Sequence, residues 1–424
     1  MTTPLGSAPT NAAYGIFLMV TLPLAAMNLI NQASRTVMSI VGPVLAIEYS
    51  LSASELGLLS ACTFATYAAS QLPGGIALDL FGPRRMQTCL CLVATVGFAI
   101  FALSDGLVGF AVARMILGVG ISAALTAILT ANSRWFAPSR VAGMTGLAMV
   151  VGSLGAVLTT APVEAALPAI GWRGVFWILT GASVAVAIWI FVSVKDRPGP
   201  AARRGLRTEL GVIGAIFSSR RFWRYSPAIS MLSMLNFTYL GLWAGPWLRD
   251  VAVYDGPTRA HTLLLYTFSM MAGSLLIGQL SSRAQARGYP AILVPALCIA
   301  GLLIAEVGLI LQPRDTTTVT VLWMLFAFFA AGGPSGYVAV GQMFPAGQVG
   351  RVSTAINTLT LGGAFLLQTV IGWILDLWPR TPSHGWDPRG YSAALILSLV
   401  LHLIFAAGLV GWIPRWRRLN RGRL

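Results

Sequence analysis

The sequence predicts an all-α integral membrane protein of twelve transmembrane helices arranged as two pseudo-symmetric six-helix bundles. Three observations carry this. The 424 residues are 56% hydrophobic and only 10% charged, far below the charge of a soluble domain. Apolar runs of the roughly 20 residues needed to cross a bilayer recur along the whole chain. A long basic segment then divides those runs into six and six. Mean hydropathy is +0.76. The 45 Gly and 23 Pro do not signal disorder, because both are common in transmembrane helices.

The spans are expected near 14–42, 53–75, 87–104, 107–131, 140–163, 173–194, 225–247, 261–281, 290–311, 318–340, 351–377 and 390–413. Breaks fall at Gly-Pro and charge clusters such as Phe81-Gly82-Pro83-Arg84-Arg85 and Pro198-Gly199-Pro200. The first 13 residues carry no charged side chain, so they lack the basic start of a signal peptide and span 1 is expected to stay. Residues 1–194 form the expected first bundle, 195–224 a basic linker and 225–424 the second bundle.

The formal net charge of +15 reads as topology. Arg84, Arg85, Arg134, Arg140, the cluster from Lys195 to Arg224, Arg283, Arg287, Arg351 and the arginines after Arg415 all fall on the side of the N-terminus. Only Arg173, Arg249, Arg259, Arg314, Arg380 and Arg389 fall opposite. The positive-inside rule then puts both termini in the cytoplasm. This reading removes nucleic acid as the reason for the charge.

Several chemistries are excluded. Cys62, Cys89, Cys91 and Cys298 all lie in apolar runs, so no disulfide framework or zinc spacing is expected. Lys195 is the only lysine and follows no Gly-rich turn, so a P-loop is missing. His261, His384 and His402 are scattered. No cofactor, metal or catalytic group is expected.

The halves echo each other. Gly75-Ile76-Ala77-Leu78-Asp79 follows span 2 and Gly278-Gln279-Leu280-Ser281-Ser282-Arg283 follows span 8. Gly171-Trp172 precedes span 6 and Gly385-Trp386 precedes span 12. Such duplication is the layout of transporters that rock two halves about a central site.

Charged residues within spans are costly and become functional candidates. Arg35 in span 1 and Arg114 in span 4 are expected at similar depth. Guanidinium groups bind carboxylate, phosphate or nitrate oxygens in pairs and stay charged at any relevant pH. Arg35 reads as an anion ligand or, if span 1 ends earlier, as an interfacial arginine. Arg114 reads as a ligand or as a tie between helices. Asn28, Gln32 and Arg35 share one face of span 1, with Asn31 beside them; that stripe faces solute or makes interhelical hydrogen bonds. Asn236, Tyr239 and Trp243 have the spacing of one helical face in span 7. Glu48, Glu164, Asp250 and Asp376 fall near span ends, which leaves no clear proton carrier.

The motif Gly75-x-x-x-Asp79-x-x-Gly82-x-Arg84-Arg85 resembles the signature loop of the major facilitator superfamily, departing from it at Leu80 and Pro83. Arg114-x-x-x-Gly118-x-Gly120 and Gly171-Trp172-Arg173 resemble further motifs of that family. Gln71-Leu72-Pro73-Gly74, Thr160-Ala161-Pro162 and the run from Leu242 to Asp250 are loosely similar to nitrate/nitrite-type and organic-anion permeases. The antiporter run of helix 5 is missing, with Gly152-Ser153-Leu154-Gly155 only a partial echo. The resemblance implies a central cavity lined by helices 1, 4, 7 and 10, and alternating access. It implies a gate at Asp79, Gly82, Arg84, Arg85 and Arg134, with Asp79 capping span 11 near Gly350-Arg351; a solvated loop acid is the alternative for Asp79. It places Glu306 in span 9 and His402 in span 12 away from the cavity, which implies a hydrogen-bonded structural role.

The expectation is a symporter or uniporter, a monomer in contact with lipid, that moves a small anionic or polar solute, with protons left open as a coupling ion. Efflux of apolar or cationic compounds and a non-transporting sensor or scaffold are the alternatives.

Overall fold

Lipid offers a backbone no hydrogen-bond partners, so a chain this apolar must satisfy its peptide groups within each segment. The computed structural model describes residues 14–197, 206–345, 348–381 and 385–410, and among these no strand occurs. Among the described residues nine helices are long and apolar enough to cross a membrane, and Gly143–Leu158 is a shorter apolar one. Spans 2 and 7 are helical too and complete the twelve.

Contacts partition the chain into two units, Met1–Leu51 with Leu58–Arg204, and Ser52–Gly57 with Gly205–Leu424. The division falls inside the segment expected as a linker. That segment is partly helical: Leu206–Phe217 forms one helix and the next begins at Arg220.

In the first unit span 1 runs from Tyr14 to Glu48. It comprises a π-helical turn Phe17–Thr21, α1 (Leu22–Thr36) and α2 (Met38–Glu48). Helix α3 (Ala53–Leu103) carries spans 2 and 3 through a break at Gly82, whose φ is +81°. This left-handed conformation strains any residue with a Cβ, so span 3 starts at the Gly-Pro itself, earlier than the expected residue 87. Then follow α4 (Leu107–Ile121), α5 (Ala124–Trp135), α6 (Pro138–Leu158) and α7 (Ala161–Ser193). Helix α7 breaks at Gly171, φ +65°, so the segment before span 6 is itself helical. Helix α1 packs along α6, with Gly155 so close that a Cβ there would sit 2.0 Å from the carbonyl oxygen of Leu29.

In the second unit α8 (Leu206–Phe217) precedes span 7. Span 7 comprises α9 (Arg220–Thr238), a second π-helical turn Tyr239–Trp243, and α10 (Ala244–Asp250). Helices α11 (Gly256–Ala286), α12 (Leu293–Ile310), α13 (Thr316–Ala330), α14 (Gly333–Gly341), α15 (Val349–Leu375) and α16 (Pro388–Val410) follow. The closest pairings are α11 with α13, α9 with α15 and α12 with α13. A buried aromatic group, Tyr239, Tyr266, Trp323 and Phe326, sits where the π-turn of span 7, α11 and α13 meet.

Candidate functional site

The polar stripe of span 1 is turned into the first unit. Asn28, Asn31 and Arg35 are buried, with Arg35 only 7% exposed. Asn31 donates to Asn28 Oδ1 at 3.3 Å, and Arg35 Nη1 donates to Gln32 Oε1 at 3.3 Å. The side chain of Asn28 lies against Met149 of α6. The guanidinium of Arg35 also stands 5.4 Å from the centre of the Phe64 ring, a geometry that attracts a cation.

Arg114 is fully buried. Its Nη1 donates to the carbonyl oxygen of Ser34 at 2.8 Å, and its Nε donates to the carbonyl of Leu59 at 3.4 Å. Both acceptors are backbone, so Arg114 ties α4 to spans 1 and 2. Its Nη2 has no hydrogen-bond partner among the described residues. Arg114 thus bonds the turn of span 1 that carries Arg35, which the sequence anticipated only as equal depth.

The span 7 candidates do not share one environment. Asn236 accepts from the Tyr266 hydroxyl at 3.0 Å. Tyr239 packs on Trp323 and Phe326, with ring centres 5.6 and 5.3 Å away. Trp243 instead faces Trp386 at 6.0 Å. The π-turn Tyr239–Trp243 is the reason. It closes i→i+5 bonds and fits an extra residue into the turn, so α-helical spacing no longer predicts which side chains align.

Of the gate candidates, Gly82, Arg84 and Arg134 lie against the stretch from Phe191 to Arg197, and that stretch adds a residue that the sequence reading passed over. Asp196 accepts from the backbone N–H of Arg84 at 2.9 Å and caps the helix that starts after Gly82. A Cβ on Gly82 would lie 2.6 Å from its Cγ. A carboxylate at a helix N-terminus is held by free N–H groups and the helix dipole. Arg84 Nε donates to the carbonyl of Phe191 at 2.7 Å. Arg134 donates to the carbonyl of Arg197 at 3.4 Å, and Trp135 Nε1 donates to that of Lys195 at 3.2 Å. Arg85 is exposed. The side chain of Asp79 lies outside those described. Asp196 could have been suspected only as one of two acids, with Glu209, in the basic segment 195–224.

A second cap lies in the second unit, at the first turn of α3. Asp376 at the end of α15 accepts from the N–H groups of Ala53 and Ser54 at 2.9 and 2.8 Å. Gly57 and Gly372 allow the approach, since a Cβ on either would come within 2.5 Å of a carbonyl oxygen of the facing helix. Ser52 and Glu55 complete a capping box, with Glu55 Oε2 accepting from Ser52 N at 2.8 Å and Ser52 Oγ accepting from Glu55 N at 3.1 Å.

The repeated Gly-Trp pairs occupy equivalent places. Trp172 Nε1 donates to Glu48, at the end of span 1, at 2.8 Å. The N–H of Trp386 donates to Asp250, at the end of span 7, at 3.0 Å. Asp250 also accepts from the Tyr391 hydroxyl at 2.7 Å and pairs with Arg249. Arg173 pairs with Glu48 and Asp105. In each unit, therefore, the entry to the last span is tied to the exit of the first.

The Major Facilitator Superfamily profile matches residues 24–368. The chain belongs to that superfamily. It is a multi-pass membrane transporter of twelve helices. A probable sulfoacetate transporter of Cupriavidus necator is 25% identical over 62% of this chain, a stretch that spans 64% of that relative. The hexuronate transporter of Bacillus subtilis is 20% identical over 85% of this chain and 88% of its own. A probable galactarate/D-glucarate transporter of Escherichia coli K12 is 24% identical over 94% and 95%. Among solved structures, a bacterial homologue of the human lysosomal transporter Spinster, inward-facing and unoccupied, superposes with a TM-score of 0.73 at 16% identity, covering 95% of this chain and 97% of that one. A D-xylose-proton symporter gives 0.70 at 13% identity over 93% and 99%. These likenesses fix the fold.

Proposed function

We propose that this superfamily member is a permease for a small organic anion, a carboxylate or sulfonate, working by alternating access in a bacterial inner membrane with both termini in the cytoplasm. One observation carries the reading: two buried arginines bear on the same turn of span 1, Arg35 as part of it and Arg114 through its hydrogen bond to the carbonyl of Ser34. Arg35 is the residue that contacts the anion, through the bidentate geometry a guanidinium offers a carboxylate or sulfonate. Asn28, Asn31 and Gln32 bind solute hydroxyls or carbonyls beside it, and Arg114 holds the turn and adds positive potential. Asn236, Tyr239 and Trp243 are the solute-contact candidates of the second unit. Asp79, Gly82, Arg84, Arg85 and Arg134 form the cytoplasmic gate. Three relatives are named for anions: sulfoacetate, hexuronate and galactarate or glucarate. That supports an anionic solute, and the basic bias of one side supports the topology.

The test is a thermal-shift screen of the purified protein against hexuronates, aldarates, sulfoacetate, inorganic anions and neutral sugars, followed by liposome uptake of the best ligand. Stabilisation by organic anions and uptake of the same compound are expected. Equal stabilisation by a neutral sugar and its acid, or by lipophilic cations alone, would overturn the anion assignment.

A further inference from the structure

The most apolar span of the protein carries a carboxylate. Glu306 lies in α12, Leu293–Ile310, whose hydropathy is the highest of the nine spans. An acid there is expensive and calls for a reason. The family resemblance implied a hydrogen-bonded structural role. His402 of α16 places Nδ1 3.5 Å from Glu306 Oε2, and both side chains are fully enclosed. Beyond each other, neither the oxygens of Glu306 nor the ring nitrogens of His402 have a hydrogen-bond partner among the described residues. A purely structural polar pair would be satisfied, because unsatisfied buried groups cost stability.

Titratable neighbours are few. Helix α13 packs against α12 and contains no titratable residue over Thr316–Ala330. Tyr239 faces the pair electrostatically from span 7, beside Ser398 of α16. From α11, Tyr266 is turned to Asn236, and Tyr337 of α14 is bonded to Thr360 of α15. In α9, Arg221 and Arg224 lie in the first turns and bond to the carbonyls of Met343 and Gly408. At the start of α16, Arg389 and Tyr391 are engaged by Asp387 and Asp250. An acid and an imidazole enclosed together exchange protons as one coupled unit. Tyr239 opens the π-turn of span 7, and such turns mark functional sites.

We propose that Glu306 and His402 form a proton-binding site in the second unit, holding an exchangeable proton between them and biasing the π-turn at Tyr239, so that solute movement is coupled to protons. The site takes a proton and no other ligand. Its coupling role rests on the transporter reading above, but proton binding itself can be read without any solute.

Infrared difference spectroscopy of the solute-free protein in liposomes, titrated across about pH 5–8, reads the carboxyl directly. A carboxylic-acid band that titrates in the wild type, vanishes in Glu306→Gln and shifts its midpoint in His402→Asn is the expected result. Failure of the wild type to titrate, or the same band in Glu306→Gln, overturns the proposal. If Glu306→Gln does not fold, His402→Asn decides, and an unmoved midpoint overturns it. Liposomes loaded with the screened anion test coupling. Glu306→Gln is expected to lose accumulation driven by a proton gradient while keeping solute exchange; accumulation at the wild-type level overturns the coupling. A failed anion screen would leave the infrared result standing.

Discussion

Arg114 donates a 2.8 Å hydrogen bond to the carbonyl oxygen of Ser34, the residue just before Arg35. The two arginines therefore have different work. Arg114 spends its donors on the backbone of spans 1 and 2, whereas Arg35 reaches Gln32 and the face of Phe64.

Arg35→Ala is expected to weaken anion binding by about tenfold to a hundredfold, the value of one charge-assisted contact at about 1.5–3 kcal/mol. Arg351→Ala, at the first turn of α15, is expected to bind as the wild type does. Calorimetric titration of both variants checks this, and intact binding by Arg35→Ala removes the proposed anion contact.

Arg114→Ala is expected to lower stability as well as binding. It leaves two buried carbonyl groups without this donor, at about 1–3 kcal/mol each. Arg114→Lys keeps the charge but cannot reproduce the two-carbonyl fork, so its melting temperature should fall too. A melting temperature equal to wild type in both variants would show that the carbonyl ties do not hold the turn.

Asp376→Ala is expected to release the first turn of α3 from the end of α15. The carboxylate offers two acceptors to two N–H groups at a helix start, where an anion contributes up to about 2 kcal/mol. A cysteine placed at Ser54 should be alkylated faster in Asp376→Ala than in the otherwise identical protein. Equal rates would mean that Asp376 does not secure this turn.

Gly82→Ala is expected to disrupt the break between spans 2 and 3. Its positive-φ, extended backbone costs a Cβ-bearing residue roughly 1–3 kcal/mol, and the new methyl would collide with the Asp196 carboxylate. Asp196→Gly relieves the collision but not the strain. A double variant is therefore expected to recover only part of the loss in thermal stability, and full recovery would assign the whole effect to the collision.

The sequence by itself determined the membrane class and the twelve helices. Those follow from the length of apolar runs and the cost of charge in lipid, which act residue by residue. Arg35 and Arg114 were legible for the same reason, because a guanidinium in an apolar span stands out. Only the tertiary structure decided their partners. The Ser34 carbonyl that holds Arg114 looks like every other carbonyl in the sequence. Asp196 and Asp376 were hidden likewise, since a cap depends on which helix start comes within hydrogen-bond reach. The π-turn at Tyr239–Trp243 shifted span 7 off the spacing that an α-helix would impose. Glu306 and His402, 96 residues apart, become a pair only when α12 and α16 pack, because a contact between distant residues is a property of packing and leaves no mark on either local sequence.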